Sequence, residues 1–242
     1  MSKPQDGVVS RFLNRPVSRR ITQVLLRFPI HPNVWTLSSF VLPLVASVFL
    51  ARGDYVSILI GAAMFQLFSI VDGCDGEIAR AKGLESKFGE RLDSFCDFLA
   101  SLLYVLALGW GLNRLTEGIV CAALITTNEL LLRYAAGGRL VDSPSLGESF
   151  YERHHGMIEH SGLLDVGERF VWWVFQLTKR DMAILAFLIL ALLGVAGWIL
   201  HLWLVVAAAS VILSVIAAIR SAFSRIGVVP QESRFDATLG QE

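Results

Sequence analysis

The chain has 242 residues, 54% hydrophobic and 17% charged, with 21 basic side chains against 21 acidic ones. A mean hydropathy of +0.58 argues against a water-soluble domain, and zero formal charge excludes a partner gripped by bulk electrostatics, such as nucleic acid. Cys74, Cys96 and Cys121 lie in or beside apolar stretches without metal-ligand spacing, so they read as small buried residues and no disulfide is expected.

From the N-terminus, Phe12, Leu13, Val17, Ile21, Val24, Leu25 and Phe28 recur at helical spacing among Arg11, Arg15, Arg19 and Arg20. The pattern predicts an amphipathic helix, either lying in the membrane interface or packed on protein, that ends at Pro29. No early apolar run leads to a small-residue cleavage site, so a removable signal peptide is not expected. Six apolar stretches of about 20 residues follow, the length that crosses roughly 30 Å of hydrocarbon. They run from Val34 to Ala51, Tyr55 to Ile78, Leu92 to Leu112, Gly118 to Ala136, Met182 to Leu200 and Leu202 to Phe223. The expected class is an all-α integral membrane protein with six transmembrane helices and an N-terminal amphipathic interfacial helix. Residues 1–30 form the interfacial segment, 31–226 the membrane domain and 227–242 a polar tail.

Charge alternates between the connections. Arg80, Lys82, Lys87 and Arg91 follow the second span, Arg133, Arg139, Arg153, Arg169, Lys179 and Arg180 follow the fourth, and Arg220 and Arg225 close the sixth. The opposite connections hold mainly Arg52 and Arg114. By the positive-inside rule, both termini and the segment after the second span face the cytoplasm, from the inner membrane. In the long connection from Gly137 to Asp181, Trp172 and Trp173 suggest an interfacial helix. His154, His155 and His160 lack the H-E-x-x-H spacing of a zinc site and read as solvated loop histidines.

Asp72, Asp75, Asp93 and Asp97 are the exception to this apolar pattern. Isolated carboxylates at membrane depth are costly, so four of them read as a cation site facing a polar cavity. At about 100° per residue, Asp72, Asp75, Gly76, Ala79 and Arg80 share an arc of roughly 140°, and Gly89, Asp93 and Asp97 one of about 80°. Four hard oxygen donors from two antiparallel helices suit one or two ions of Mg²⁺ or Mn²⁺. Gly76, Ala79 and Gly89 remove bulk beside the acids, which lets a helix or a nucleotide approach, and Arg80 supplies a planar charged fork for a diphosphate.

The run Asp72-Gly-Cys-Asp75-Gly76-Glu-Ile-Ala79-Arg80, followed by Gly89, Asp93 and Asp97, resembles the D-x-x-D-G-x-x-A-R-(x8)-G-x-x-x-D-x-x-x-D signature of the CDP-alcohol phosphotransferase family. Eight fixed residues over 26 positions all match. The resemblance implies that metal held by the four aspartates clamps the diphosphate of a CDP-alcohol. An acceptor hydroxyl then attacks the β-phosphorus and CMP leaves. It assigns the general base to Asp97, and places Asp72, Gly76, Arg80 and Ser86 around the nucleotide and its phosphates. Pro32-Asn33-Val34-Trp35-Thr36 resembles the Pro-Asn-x-x-Thr segment of these enzymes, so Asn33 and Thr36 are either cytidine-side contacts or helix-start residues. A homodimer formed through the spans is also implied.

Leu13-Asn14-Arg15-Pro16-Val-Ser18 and Thr178-Lys-Arg-Asp181 resemble the inositol phosphodiester-forming branch, which makes inositol phosphate or a similar polyol phosphate the expected acceptor. Arg133, Arg139, Arg153, Lys179 and Arg180 are available for a phosphate on that acceptor. Glu129 and Arg133, four apart, either pair within their helix or line the acceptor cavity. The alternative within the enzyme class is a phospholipid synthase using CDP-diacylglycerol. A cation transporter would also carry intramembrane acids but has no need of Gly76-x-x-Ala79-Arg80. A purely structural ion-pair network with Arg80 and Arg91 would leave four acids facing two bases.

Overall fold

The computed structural model describes residues 8–135 and 180–225, and all regular structure among them is helical. A π-helical turn, Ser10–Asn14, runs into α1 (Arg15–Leu25). Then come α2 (Pro32–Ser39), α3 (Val41–Leu50), α4 (Tyr55–Lys82), α5 (Lys87–Gly111), α6 (Leu115–Ala135), α7 (Arg180–Leu192) and α8 (Gly197–Arg225). Among the described residues, three helical segments are long and apolar enough to cross a membrane: Pro32–Leu50, Tyr55–Lys82 and Lys87–Gly111. Six such spans were expected. The helix Leu115–Ala135 is long enough but carries Glu117, Glu129 and Arg133.

The expected first span is two helices. Pro43 has no N–H to offer the Ser39 carbonyl, so the ladder breaks at Phe40 between α2 and α3. The stretches expected as fifth and sixth spans divide earlier than hydropathy suggests. Gly194 adopts φ +73°, its N–H bonds to Ala191 O at 3.0 Å, and Val195 N bonds to Leu190 O at 3.0 Å, which ends α7 well before Leu200. The turn is built from apolar residues, so no drop in hydropathy marks it. The expected interfacial helix in the 137–181 connection, its histidines and the polar tail lie outside the described residues.

Helices α4 and α5 form an antiparallel hairpin. Asp54 caps α4 by accepting from Ser57 N at 3.0 Å, and Gly83, at φ +63°, closes it in a left-handed conformation with Leu84 N bonded to Ala79 O at 2.8 Å. Ser86 then opens α5 by accepting from Gly89 N at 3.0 Å. At the other end, Gly53 and Gly111 let two backbones touch: a Cβ on Gly53 would overlap the Gly111 carbonyl oxygen.

The core beneath this hairpin is aromatic. Phe65 and Tyr104 meet edge to face at 4.5 Å, Tyr104 lies 5.6 Å from Phe187, and Phe187 lies 5.5 Å from Trp203, joining α4, α5, α7 and α8. Buried Phe68 and Leu108 complete it. The outer faces carry exposed Val41, Leu44, Val45 and Val48 on α3, a surface suited to lipid.

Helix α1 turns its small polar residues inward. Asn14, Ser18 and Thr22 are buried against α4, while Phe12, Leu13, Val17 and Val24 stand exposed. Asn14 Nδ2 donates to Ser69 Oγ at 3.1 Å, and Asn14 Oδ1 accepts from Gln66 Nε2 at 3.1 Å. Arg11, Arg19 and Arg20 are exposed beside those apolar side chains, so the outer face mixes charge with apolar surface.

Candidate active site

The α4–α5 hairpin sets Asp72 and Asp97 at similar distances from its turn, and Asp93 lies one helical turn nearer to it on α5. One carboxylate oxygen from each of Asp72, Asp93 and Asp97 falls within 4.8 Å of the other two. All three residues are half-buried and their Oδ1 atoms are shielded from solvent. At that spacing each ionised pair repels by roughly 3 kcal/mol for an effective dielectric of about 20. A divalent cation relieves all three repulsions at once, and oxygen-only donors suit Mg²⁺ or Mn²⁺. The donor set therefore fits the expected metal.

Asp75 is oriented differently from the other three. It is buried, its Oδ2 accepts from Thr36 Oγ1 at 2.5 Å, and its Oδ1 accepts from the neighbouring Gly76 N–H. It remains close enough to Asp97 and Arg80 to feel both charges. Thr36, expected either to contact cytidine or to start a helix, thus orients an acid of the signature. Its helix is capped by His31, whose Nδ1 accepts from Asn33 N at 3.2 Å.

The small residues of the signature create close approaches. A Cβ on Gly89 would stand 2.9 Å from Asn33 Oδ1 and 3.2 Å from Ser86 Oγ, so Asn33, Ser86 and Gly89 meet at the mouth of the hairpin. A Cβ on Gly76 would stand 3.4 Å from Arg80 Nη1, so the guanidinium folds back over the preceding turn toward the acids. Arg80 is exposed and Ala79 half-buried. Ser86, expected beside the nucleotide, holds the N-terminus of α5. Of the basic acceptor-site candidates, Arg139, Arg153 and Lys179 lie outside the described residues, as do the side chains of Arg133 and Arg180. Glu129 is half-buried on α6.

Glu77 is the polar residue of the signature that sequence reasoning passed over. Its Oε1 accepts from Arg15 Nη1 at 3.3 Å and Ser18 Oγ at 3.0 Å, and its Oε2 from Thr22 Oγ1 at 2.8 Å. The available signal was the recurrence of Asn14, Ser18 and Thr22 at intervals of four, a polar stripe beside the apolar one. Lys82 Nζ adds a second tie, donating to Phe28 O at 2.9 Å and Ile30 O at 3.0 Å.

A family model described as CDP-alcohol phosphatidyltransferase matches residues 29–150. Among curated proteins, a Bifunctional IPC transferase and DIPP synthase from Archaeoglobus fulgidus is 39% identical over 41% of this chain and 19% of its own length. A protein of the same description from Rubrobacter xylanophilus is 46% identical over 44% of this chain and 24% of its own length. An Archaetidylinositol phosphate synthase from Pyrococcus horikoshii is 33% identical over 50% of this chain and 65% of its own length. The chain thus aligns with only 19% to 24% of the two bifunctional relatives.

Proposed function

The chain belongs to the CDP-alcohol phosphatidyltransferase family, and from that premise we propose that it is an integral membrane enzyme that transfers a phosphoryl-alcohol group from a CDP-alcohol to an acceptor hydroxyl. The observation that carries this reading is the meeting of Asp72, Asp93 and Asp97 from two helices of one hairpin. Asp72, Asp93 and Asp97 would hold a divalent ion. Asp75, whose oxygens have lone pairs beyond those taken by Thr36 and Gly76, would share in a second. When bound, such ions supply charge neutralisation on the diphosphate and the departing CMP.

The chain's own groups do the rest. Arg80, folded over Gly76, pairs with a diphosphate oxygen, and the Asn33, Ser86 and Gly89 mouth receives the nucleotide. Asp97 takes the acceptor's proton as its oxygen bonds to the β-phosphorus. The bond from that phosphorus to the bridging oxygen breaks, and CMP departs with the electron pair. Inositol phosphate is the preferred acceptor, supported by the inositol phosphate product in the name of the Pyrococcus horikoshii relative. Because that name also denotes a lipid, a lipid-linked donor such as CDP-diacylglycerol is the second reading. The alternation of basic residues supports a site facing the cytoplasm, and a homodimer through the spans completes the proposal.

The test is to incubate the full chain in nanodiscs with Mg²⁺, CDP-alcohols including CDP-diacylglycerol, and acceptors including inositol phosphate, then identify products by mass. CMP with a matching phosphodiester is expected. Absence of CMP with every pairing would leave an intramembrane cation transporter as the surviving class.

A further inference from the structure

Glu77 lies inside the acidic signature, yet its carboxylate is occupied by three donors, all from α1. The side chains of Arg15 and Glu77 are only 17% and 12% exposed, which sets the pair apart from surface ion pairs that contribute little. Resting on the divalent-metal reading above, we infer that Glu77 is a positioning residue: the grip of Arg15, Ser18 and Thr22 sets the rotation of α4 about its axis, and with it the placement of Asp72 against Asp93 and Asp97.

The argument is one of helix geometry. With Asp72 at zero and about 100° per residue, Ser69, Gly73, Gln66 and Glu77 fall on one flank, between about 60° and 140°. That flank is the one α1 holds, through Asn14 on Gln66 and Ser69 and through Arg15, whose Nη1 would stand 3.1 Å from a Cβ on Gly73. The opposite flank, about 60° to 100° the other way, carries Asp75 and Val71. It is held by Thr36 and by Trp35 Nε1, which donates to Val71 O at 3.0 Å. The acids face α5 between these two grips. A rotation of about 20° would move an oxygen standing roughly 6 Å from the axis by about 2 Å. Mg²⁺ demands near-ideal octahedral geometry and does not tolerate such a displacement.

The experiment measures binding of Mn²⁺ alone to the full chain in nanodiscs, by the paramagnetic resonance of free Mn²⁺, beside thermal unfolding without metal. Glu77→Ala is expected to weaken Mn²⁺ binding by about tenfold or more, the effect typical of residues that orient ligands. Glu77→Gln, which keeps an acceptor for the hydroxyls but loses the pairing with Arg15, should fall between it and the wild type. A merely structural Glu77 would lower the melting temperature and leave Mn²⁺ affinity untouched. Wild-type affinity in a folded Glu77→Ala or Glu77→Gln chain therefore overturns the inference. If Glu77→Ala does not fold, Glu77→Gln and Thr22→Val give the reading. A wild-type chain that binds no Mn²⁺ removes the metal reading itself, and this inference with it.

Discussion

Thr36 Oγ1 donates to Asp75 Oδ2 at 2.5 Å, tying the first turns of α2 to the helix that carries the signature. Both residues are buried, at 3% and 8% exposure, so water cannot readily replace the bond. Hydrogen bonds to charged groups contribute about 1.5–3 kcal/mol. Thr36→Val, which keeps the shape and removes the hydroxyl, is expected to lower kcat/KM for the CDP-alcohol by about 10- to 100-fold, the range for groups that orient ligands. Thr36→Ser should retain most activity. Equal activity in the valine and serine variants would show that the hydroxyl does not matter to the site.

Asp93→Asn and Asp97→Asn each remove one of three converging negative charges while preserving shape. Both variants should fold, because lost mutual repulsion offsets lost polar contacts. Each should abolish turnover, and for Asp97, removal of a general base alone accounts for about 10²–10⁴-fold. CMP release measured beside thermal unfolding separates the two effects. Substantial turnover in either variant refutes the role given to that aspartate.

Two glycines of the hairpin separate steric from conformational roles. Gly83 has open space where a Cβ would stand but sits at φ +63°, so Gly83→Ala should lower stability by about 1 kcal/mol with kcat unchanged. Gly89 is helical, and a Cβ there would press on Asn33 Oδ1. Gly89→Ala is therefore expected to raise KM for the CDP-alcohol several-fold with little loss of melting temperature. Should the two variants affect KM alike, the mouth formed by Asn33, Ser86 and Gly89 has no nucleotide role.

Tyr104 is 3% exposed, and its hydroxyl makes no hydrogen bond among the described residues. Its ring is another matter, packed between Phe65 and Phe187. Tyr104→Phe is thus expected to leave the melting temperature in detergent unchanged or higher, since it removes a buried polar group. Tyr104→Ala should cost about 3–5 kcal/mol, as for other large aromatic truncations. A marked loss of stability in the phenylalanine variant would contradict this picture of the core.

Much of the hairpin was legible because its periodicities are chemical. Asp72, Asp93 and Asp97 could be assigned to one arc of each helix from their spacing alone, whereas the turn at Gly83 and Ser86 that makes those arcs meet emerges only in the structure. Three features could not be read this way. The Gly194 turn is as apolar as its flanks, so hydropathy averages over it. Asp75 has the same residue type and arc as its neighbours, yet Thr36 from a distant segment takes one of its oxygens. The inward stripe of Asn14, Ser18 and Thr22 is fixed by Gln66, Ser69 and Glu77 on α4, partners that spacing within α1 does not reveal.

The ammonium of Lys82 closes the Phe28–Ile30 bend onto the end of α4. The bend thus couples α1 to α2 as a yoke, with α4 between its arms. A disturbance at the outer side of α1 would reach Asp75 through Thr36 as well as Glu77 directly. The outer face of α1 and the acidic cluster are in this sense parts of one mechanical unit.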